Sequence, residues 1–333
     1  MIKLKHVIAQ LKYDLIGKDS QRGVTLTYSW MANQFGHFGL GFIPTALIYL
    51  SWEYNRSQGL VMRPFFYVIG FWTLFETYNY IKGLVKSTAN SAFRPAWKNV
   101  LSDTVLDVMF FGFGAASAGY AFTHTNTLLY LMLIFGAIVL LPTPYWFKVK
   151  MYQQEARFPF QFRISQWSKT ISDANKKVVE DFVGFKGEGK HLLIFGPNGS
   201  GKTTLSVGMA NEKSIERKKV LYITSLELYS AFTLIDPDRD KRGSIWEWRD
   251  ADFLIIDDVN PELVPPVELV QPADFFRFLK EGHSLGQLNI DALKKINTIW
   301  VLGYDNPSRD MLNKWEVALR NEGITDVTSV FLN

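Results

Sequence analysis

Apolar residues follow three different patterns along this chain, and the changes between them divide it. Residues 2–16 place Ile2, Leu4, Val7, Ile8, Leu11, Leu15 and Ile16 on one helical face. Lys3, Lys5, His6, Lys12 and Asp14 fall mostly on the other, with Gly17 as a stop. From residue 30 to 147 the apolar residues are nearly continuous, in stretches over 30–52, 65–81, 104–122 and 127–147. Each is near the ~20 residues that cross a hydrocarbon layer as a helix. Beyond 148 the pattern shortens. Strand-length runs at 192–195, 219–225, 253–256, 296–303 and 327–332 alternate with helical segments, including 166–184 with Phe182 and Val183 as its anchors. That alternation predicts an α/β fold, a doubly wound parallel five-stranded sheet, preceded by an all-α transmembrane four-helix domain. The expected domains are an amphipathic N-terminal segment (1–29), the transmembrane domain (30–147), a linker (148–165) and an α/β domain (166–333).

Composition sharpens this division. The 333 residues contain no cysteine, which excludes disulfides, thiolate metal sites and cysteine nucleophiles. The net charge of +4 is modest, and much of the excess flanks the apolar stretches, so it does not argue for nucleic acid. The first helix is no signal peptide, because its apolar residues are periodic and no small-residue cleavage site follows. Its basic face suits an anionic membrane surface, the other reading being a helix packed on the α/β domain.

Trp30, Trp52, Tyr54, Tyr78, Tyr80, Tyr145 and Trp146 sit near the ends of the apolar stretches, where interfacial anchors belong. The small residues Gly112, Gly114, Ala115, Ala116, Ser117, Ala118 and Gly119 suit close helix packing. Positive charge collects before the first stretch (Lys3, Lys5, Lys12, Lys18, Arg22), in the second connection (Lys82, Lys86, Arg94, Lys98) and after the fourth stretch (Lys148, Lys150, Arg157). The first connection sets Arg56 and Arg63 against Glu53, and the third has only His124. An integral, multi-pass protein with both termini and the α/β domain in the cytoplasm satisfies that asymmetry. Glu76 and Asp107 are acids in or near the stretches. They read either as interfacial pairing or as part of a polar pathway.

The chemistry starts at residues 191–205, HLLIFGPNGSGKTTL. Gly196, Gly201, Lys202 and Thr203 fill the pattern G-x-x-x-x-G-K-[ST], a phosphate-binding Walker A loop between a strand and a helix. Residues Gly196, Pro197, Asn198, Gly199, Ser200, Gly201, Lys202, Thr203 and Thr204 are the expected cradle, Pro197 fixing the turn and the others offering backbone N–H groups, aided by the helix N-terminus. Lys202 reaches the outer phosphates, and the Thr203 hydroxyl is a Mg²⁺ ligand. The run 253–256 ends in Asp257 and Asp258, a Walker B element, with Asp257 assigned to Mg²⁺ and Asp258 to the attacking water as base. After the fourth run, Asn306 is the candidate sensor of the outermost phosphate, against the plainer reading of Asp305-Asn306-Pro307-Ser308 as a helix-capping turn.

Together FGPNGSGKTTL, VLYITSLELY, FLIIDD, GYDNPS and NKWEVALRNEGITDVTSVFL resemble the AAA+ ATPases, and within them the helicase-loader group typified by DnaC and IstB. The resemblance covers about residues 160–333. It implies ATP as the nucleotide, Mg²⁺-dependent hydrolysis, and a homo-oligomer in which an arginine of the last helix reaches a neighbour's nucleotide. By position that arginine is Arg320, with Arg309 second. The chain departs from the group in two places. No helical lid follows the fifth strand, and the proline-rich interval 259–295 has no assigned role. The resulting expectation is a membrane-anchored ATPase motor or switch, with the lipid bilayer and a membrane protein or nucleic acid as partners. A tethered loader-like ATPase gripping nucleic acid through Lys186, Lys190, Lys213, Arg217, Lys218, Lys219, Arg239, Lys241 and Arg242 is a second reading. An ATP-gated channel or transporter using Glu76 and Asp107 is a third.

Overall fold

The computed structural model describes residues 1–16, 24–51, 60–90, 92–233, 245–259, 271–281, 284–303 and 309–333, without the side chains at 86–90 and 309–312. Gly17, Lys18, Arg22, Trp52, Glu53, Tyr54, Arg56, Arg239, Lys241, Arg242 and Asn306 therefore lie outside the described residues, as do the side chains of Lys86 and Arg309. The chain divides into two compact units. One comprises Met1–Val7, Ser91–Phe93 and Met151–Asn333, the other Ile8–Asn90 and Arg94–Lys150.

The second unit is helical. Its elements are the greater part of α1 (Leu4–Ile16), then α2 (Leu26–Ser51), α3 (Arg63–Asn90), α4 (Trp97–Thr123) and α5 (Asn126–Leu140). The start of α6 (Thr143–Glu155) follows, and α5 and α6 run on as one helix over Asn126–Glu155. Glycine sets how closely α2 and α4 approach. A Cβ on Gly41 would lie 2.1 Å from the Phe111 carbonyl oxygen, and one on Gly114 would lie 2.0 Å from that of Phe38. Trp72 of α3 then stacks on Phe111 with ring centroids 4.6 Å apart.

Against the four spans that the sequence predicts, two helices among the described residues are long and apolar enough to cross a membrane: Trp97–Thr123 and Asn126–Glu155. The other two carry more polar side chains, including Gln34 and His37 in α2 and Arg63, Glu76 and Lys82 in α3. Two details differ from expectation. Asp14 is buried rather than on the polar face of α1. Its carboxylate accepts from Thr25 Oγ1 (2.7 Å), Thr27 Oγ1 (2.6 Å) and Gln10 Nε2 (2.9 Å), which satisfy its charge. Asp107 lies well inside α4, because that helix starts at Trp97, and it meets His37 Nε2 of α2 at 3.3 Å.

The first unit is built on one sheet: β1 (His191–Phe195), β2 (Val220–Thr224), β3 (Phe253–Val259), β4 (Asn297–Leu302) and β5 (Val327–Phe331). All neighbours are parallel, in the order β2-β3-β4-β1-β5. The strands read as unbroken apolar runs because both faces are covered. Leu192, Ile194, Phe253, Ile255, Ile299 and Val301 face one core, with α7 (Asp173–Gly184) and α8 (Lys202–Ile215). Leu193, Phe195, Leu254, Ile256, Trp300 and Leu302 face the other. That core takes Leu228 of α9 (Ser225–Ala231), Phe275 and Leu279 of α10 (Pro272–Lys280), Leu293 of α11 (Gly286–Lys295) and Trp315 of α12 (Arg309–Asn321).

The interval 259–295 thus holds two helices that cover the sheet, α11 leading directly into β4. The expected linker is largely part of this unit. Met151, Tyr152, Ala156 and Ile164 are buried in it. The helix expected over 166–184 starts only at Asp173, where the Ser172 hydroxyl accepts the Asn175 N–H as an N-cap.

Candidate functional site

The sheet order puts β4 between β1 and β3, so the loop after β1 and the acidic tip of β3 open onto one cavity at the strands' carboxyl ends. That cavity has a volume of about 450 Å³. Its walls include Asn198, Gly199, Gly201, Lys202, Thr203, Thr204, Asp257 and Asp258. The sequence assigns these residues to one site from positions about fifty apart, and the fold brings them together. Pro197 and Ser200 belong to the same loop, with Ser200 N–H donating to the Pro197 carbonyl.

Two glycines of the loop are required by what surrounds them. Gly196 has φ 148° and Gly201 has φ 94°, both in the region that disfavours a side chain. A Cβ on Gly196 would lie 2.3 Å from the Leu332 carbonyl oxygen, and one on Gly201 would lie 2.7 Å from the Trp167 ring. The backbone therefore turns tightly, and α8 starts directly after it at Lys202. Lys202 Nζ donates to the carbonyls of Gly196 (2.6 Å) and Pro197 (3.0 Å), so its charge stands at the loop's mouth.

At the other wall, Asp257 is 2% exposed and has both oxygens engaged. Oδ2 accepts from the Tyr222 hydroxyl at 2.7 Å, and Oδ1 accepts from the Asp258 N–H at 2.8 Å. Asp258 itself has φ 53°, where the β3–β4 register shifts between Ile256 and Val259. The shift turns its side chain out of strand alternation into the cavity. Its carbonyl is fixed by the Ser225 hydroxyl at 2.8 Å. Burial, and secondarily the Asp257 carboxylate, push the Asp258 carboxyl above its usual range, the direction a proton acceptor needs. Burial and the bond to Asp257 raise the Tyr222 phenol, which stays protonated.

The residues fit a Mg²⁺-nucleotide. The loop is shaped for an anion, and the Ser200 hydroxyl is buried in it without a hydrogen-bond partner among the described residues. Thr203 and Asp257 both line the cavity and are a hard oxygen pair suited to a small divalent cation. Among the described residues no cluster of three or more His, Asp or Glu side chains could hold a metal alone, so substrate phosphates would complete the coordination.

Asn306, the candidate sensor, lies outside the described residues. Arg320 is exposed in the last turn of α12 and does not line the cavity. The sequence reading missed Lys169, Trp167 and Tyr222. Lys169 lines the cavity and its Nζ donates to the Gly199 carbonyl, while Trp167 closes on Gly201. A tyrosine inside the aliphatic run VLYIT was the available signal, since a buried hydroxyl needs a partner.

Several known proteins share parts of this chain. The DnaC helicase loader covers 54% of this chain and 98% of its own at 16% identity, with a TM-score of 0.32. DnaI covers 52% and 92% at 17% identity, with a TM-score of 0.33. The RuvB subunit of the Holliday junction branch migration complex from Nitratiruptor sp. is 29% identical over 132 residues, 38% of this chain and 36% of that protein. The chromosomal replication initiator protein DnaA from Campylobacter jejuni is 33% identical over 101 residues, 29% of this chain and 22% of that protein. The chain thus spans about a third or less of the length of these two curated relatives. Residues 160–277, which carry the phosphate loop and the acidic strand tip, match the family model of the bacterial DnaA ATPase domain.

Proposed function

We propose that this chain is a membrane-anchored AAA+-type motor or switch that binds and hydrolyses ATP at the cytoplasmic face of a membrane, working as an oligomer. The observation that carries the reading is the convergence of Gly199, Gly201, Lys202, Thr203, Thr204, Asp257 and Asp258 on one cavity. In this reading Lys202 and the loop N–H groups hold the outer phosphates and offset the charge that develops there. Asp258 accepts the proton of the attacking water. Thr203 and Asp257 would hold Mg²⁺, which would supply charge neutralisation at the transferring phosphoryl group. Arg320, exposed and away from its own cavity, acts on a neighbouring copy's nucleotide.

The membrane anchor is supported by the two long apolar helices and by the large apolar side chains on the outside of the helical unit, Leu74 and Phe71 among them. Charge asymmetry favours a cytoplasmic nucleotide domain. A second reading, a membrane-tethered ATPase that grips nucleic acid, is favoured by the match to the DnaA ATPase domain and by the similarity to a Holliday junction branch migration subunit and a chromosomal replication initiator.

Turnover of ATP by the purified full chain in lipid nanodiscs, with and without single-stranded DNA, separates the two. Lys202-dependent turnover indifferent to DNA supports the membrane-directed reading. Turnover that rises severalfold with DNA, and loses the rise at higher salt, supports the tethered loader. Absence of Lys202-dependent nucleotide binding overturns both.

A further inference from the structure

We propose that Tyr222 is a positioning residue for the metal-binding carboxylate of Asp257, set in place by the end of helix α6. The proposal deepens the nucleotide reading above and rests on it. Asp257 must present one oxygen to a cation in a fixed direction, and a carboxylate on a strand tip rotates unless something holds it. Two donors hold this one, the Asp258 N–H on Oδ1 and the Tyr222 hydroxyl on Oδ2. The backbone donor comes with the chain turn. The phenol is supplied from the neighbouring strand, where Thr224 rather than Tyr222 is the register partner of Asp257. Tyr222 therefore reaches forward along the sheet surface to the tip. Its ring packs against the core that holds Ile255 and Val207, so its direction is set by packing. The phenol donates a single hydrogen bond in a direction set by its packed ring, which suits an orienting role.

What fixes Tyr222 is itself informative. β2 is an edge strand, so the outward N–H of Tyr222 has no strand to pair with. The Ala156 carbonyl, just past the last turn of α6, accepts it at 2.8 Å. Within the nucleotide unit the same turn makes two further polar bonds. Gln153 Nε2 donates to Asn211 Oδ1 of α8 at 2.8 Å, and the Glu155 carboxylate accepts the Ile245 N–H at 2.9 Å. Trp246, whose ring meets Tyr152, donates to the Val220 carbonyl at 3.0 Å. The end of α6 is thereby hydrogen-bonded to both elements that carry the site, the helix starting at Lys202 and the strand that aims Asp257. Outer partners of this kind typically contribute about 10–100-fold to metal affinity.

The test is the Mg²⁺ dependence of ATP turnover by the full chain in nanodiscs, wild type against Tyr222→Phe, beside nucleotide binding measured in EDTA. The expected result is a rise of about 10-fold in half-saturating Mg²⁺ with metal-free binding unchanged. Unchanged Mg²⁺ dependence overturns the proposal. So does equal weakening with and without Mg²⁺, the mark of a merely structural residue. Lys202→Ala separates the two layers: if it leaves nucleotide binding intact, the nucleotide reading itself fails, whatever Tyr222 does. A near-isosteric probe guards against misfolding of the phenylalanine variant. With 3-fluorotyrosine at position 222, the ¹⁹F resonance shifts on adding Mg²⁺ to the nucleotide-bound protein if the phenol orients Asp257. An unmoved resonance contradicts it.

Discussion

The two units of this chain differ in what they expose and in the polar groups they enclose. In the nucleotide unit the strands bury both faces, and Leu193, Ile194, Leu254 and Ile255 are all fully enclosed. In the helical unit Leu74 is 73% exposed, Phe71 61% and Leu133 56%, while Asp14 and Gln34 are turned inward. Apolar side chains follow whichever surroundings cost least. An apolar outer surface around an interior that also encloses Asp14 and Gln34 suits a hydrocarbon solvent, where internal hydrogen bonds have no competition from water. Large apolar side chains therefore form mainly a core in the sheet-based unit, and both a core and an outer surface in the helical one. The proposed bilayer accounts for the difference without a separate cause for each exposed residue.

The contrast can be broken from either side. The largest effect is expected at the nucleotide unit: Lys202→Ala lowers ATP turnover by about 100–1000-fold, read as phosphate release, while leaving the helical unit's stability unchanged. Next comes the helical unit. Gly114→Ala puts a methyl group 2.0 Å from where the Phe38 carbonyl oxygen stands, far inside contact. It destabilises the helical unit by about 3 kcal/mol, measured by thermal unfolding in nanodiscs, with nucleotide affinity retained. If both properties fall together, the two units are not independent and the comparison loses its meaning.

A third effect belongs to the sheet core. His191 is fully buried. It accepts from Trp300 Nε1 at 3.0 Å and donates from Nε2 to the Leu293 carbonyl at 3.2 Å, so it is neutral. Burial lowers its pKa to about 4, against 6.5 in the unfolded chain. The unfolded state thus binds the extra proton first as pH falls. Stability is full above about pH 6.5 and is lost progressively towards pH 4, by at most about 3 kcal/mol. Denaturant unfolding followed by tryptophan fluorescence at pH 7 and pH 5 measures the loss, and His191→Gln flattens the dependence. The smallest effect is at Lys169, exposed and bonded to the Gly199 carbonyl. Lys169→Ala weakens nucleotide binding by about 2–10-fold in equilibrium titration.

Much of the nucleotide unit was legible in the sequence because its signals are local. Each strand is a short apolar run, and the spacing of Gly196, Gly201, Lys202 and Thr203 is a fixed motif. The acidic tip of β3 is two residues long. What was not legible depends on partners far apart in the chain. Tyr222 meets Asp257 35 positions away, and Lys169 meets Gly199 30 positions away. Asp14 looked polar on a helical wheel, but Thr25 and Thr27 fold back to enclose it. Residues 148–165 read as a linker between the apolar stretches and the α/β part, yet Ala156 and Ile164 are buried in the core shared with Val207 and Ala210 of α8. The proline-rich interval after β3 hid α10 and α11, which begin only at Pro272 and Gly286.

The most direct test of the central claim, that this cavity performs nucleotide hydrolysis, is a side-by-side measurement of ATP binding and turnover for wild type and Asp258→Asn in nanodiscs. The account predicts retained binding with turnover down by about 100-fold or more, since only the proton acceptor is lost. Turnover equal to wild type in Asp258→Asn would contradict it.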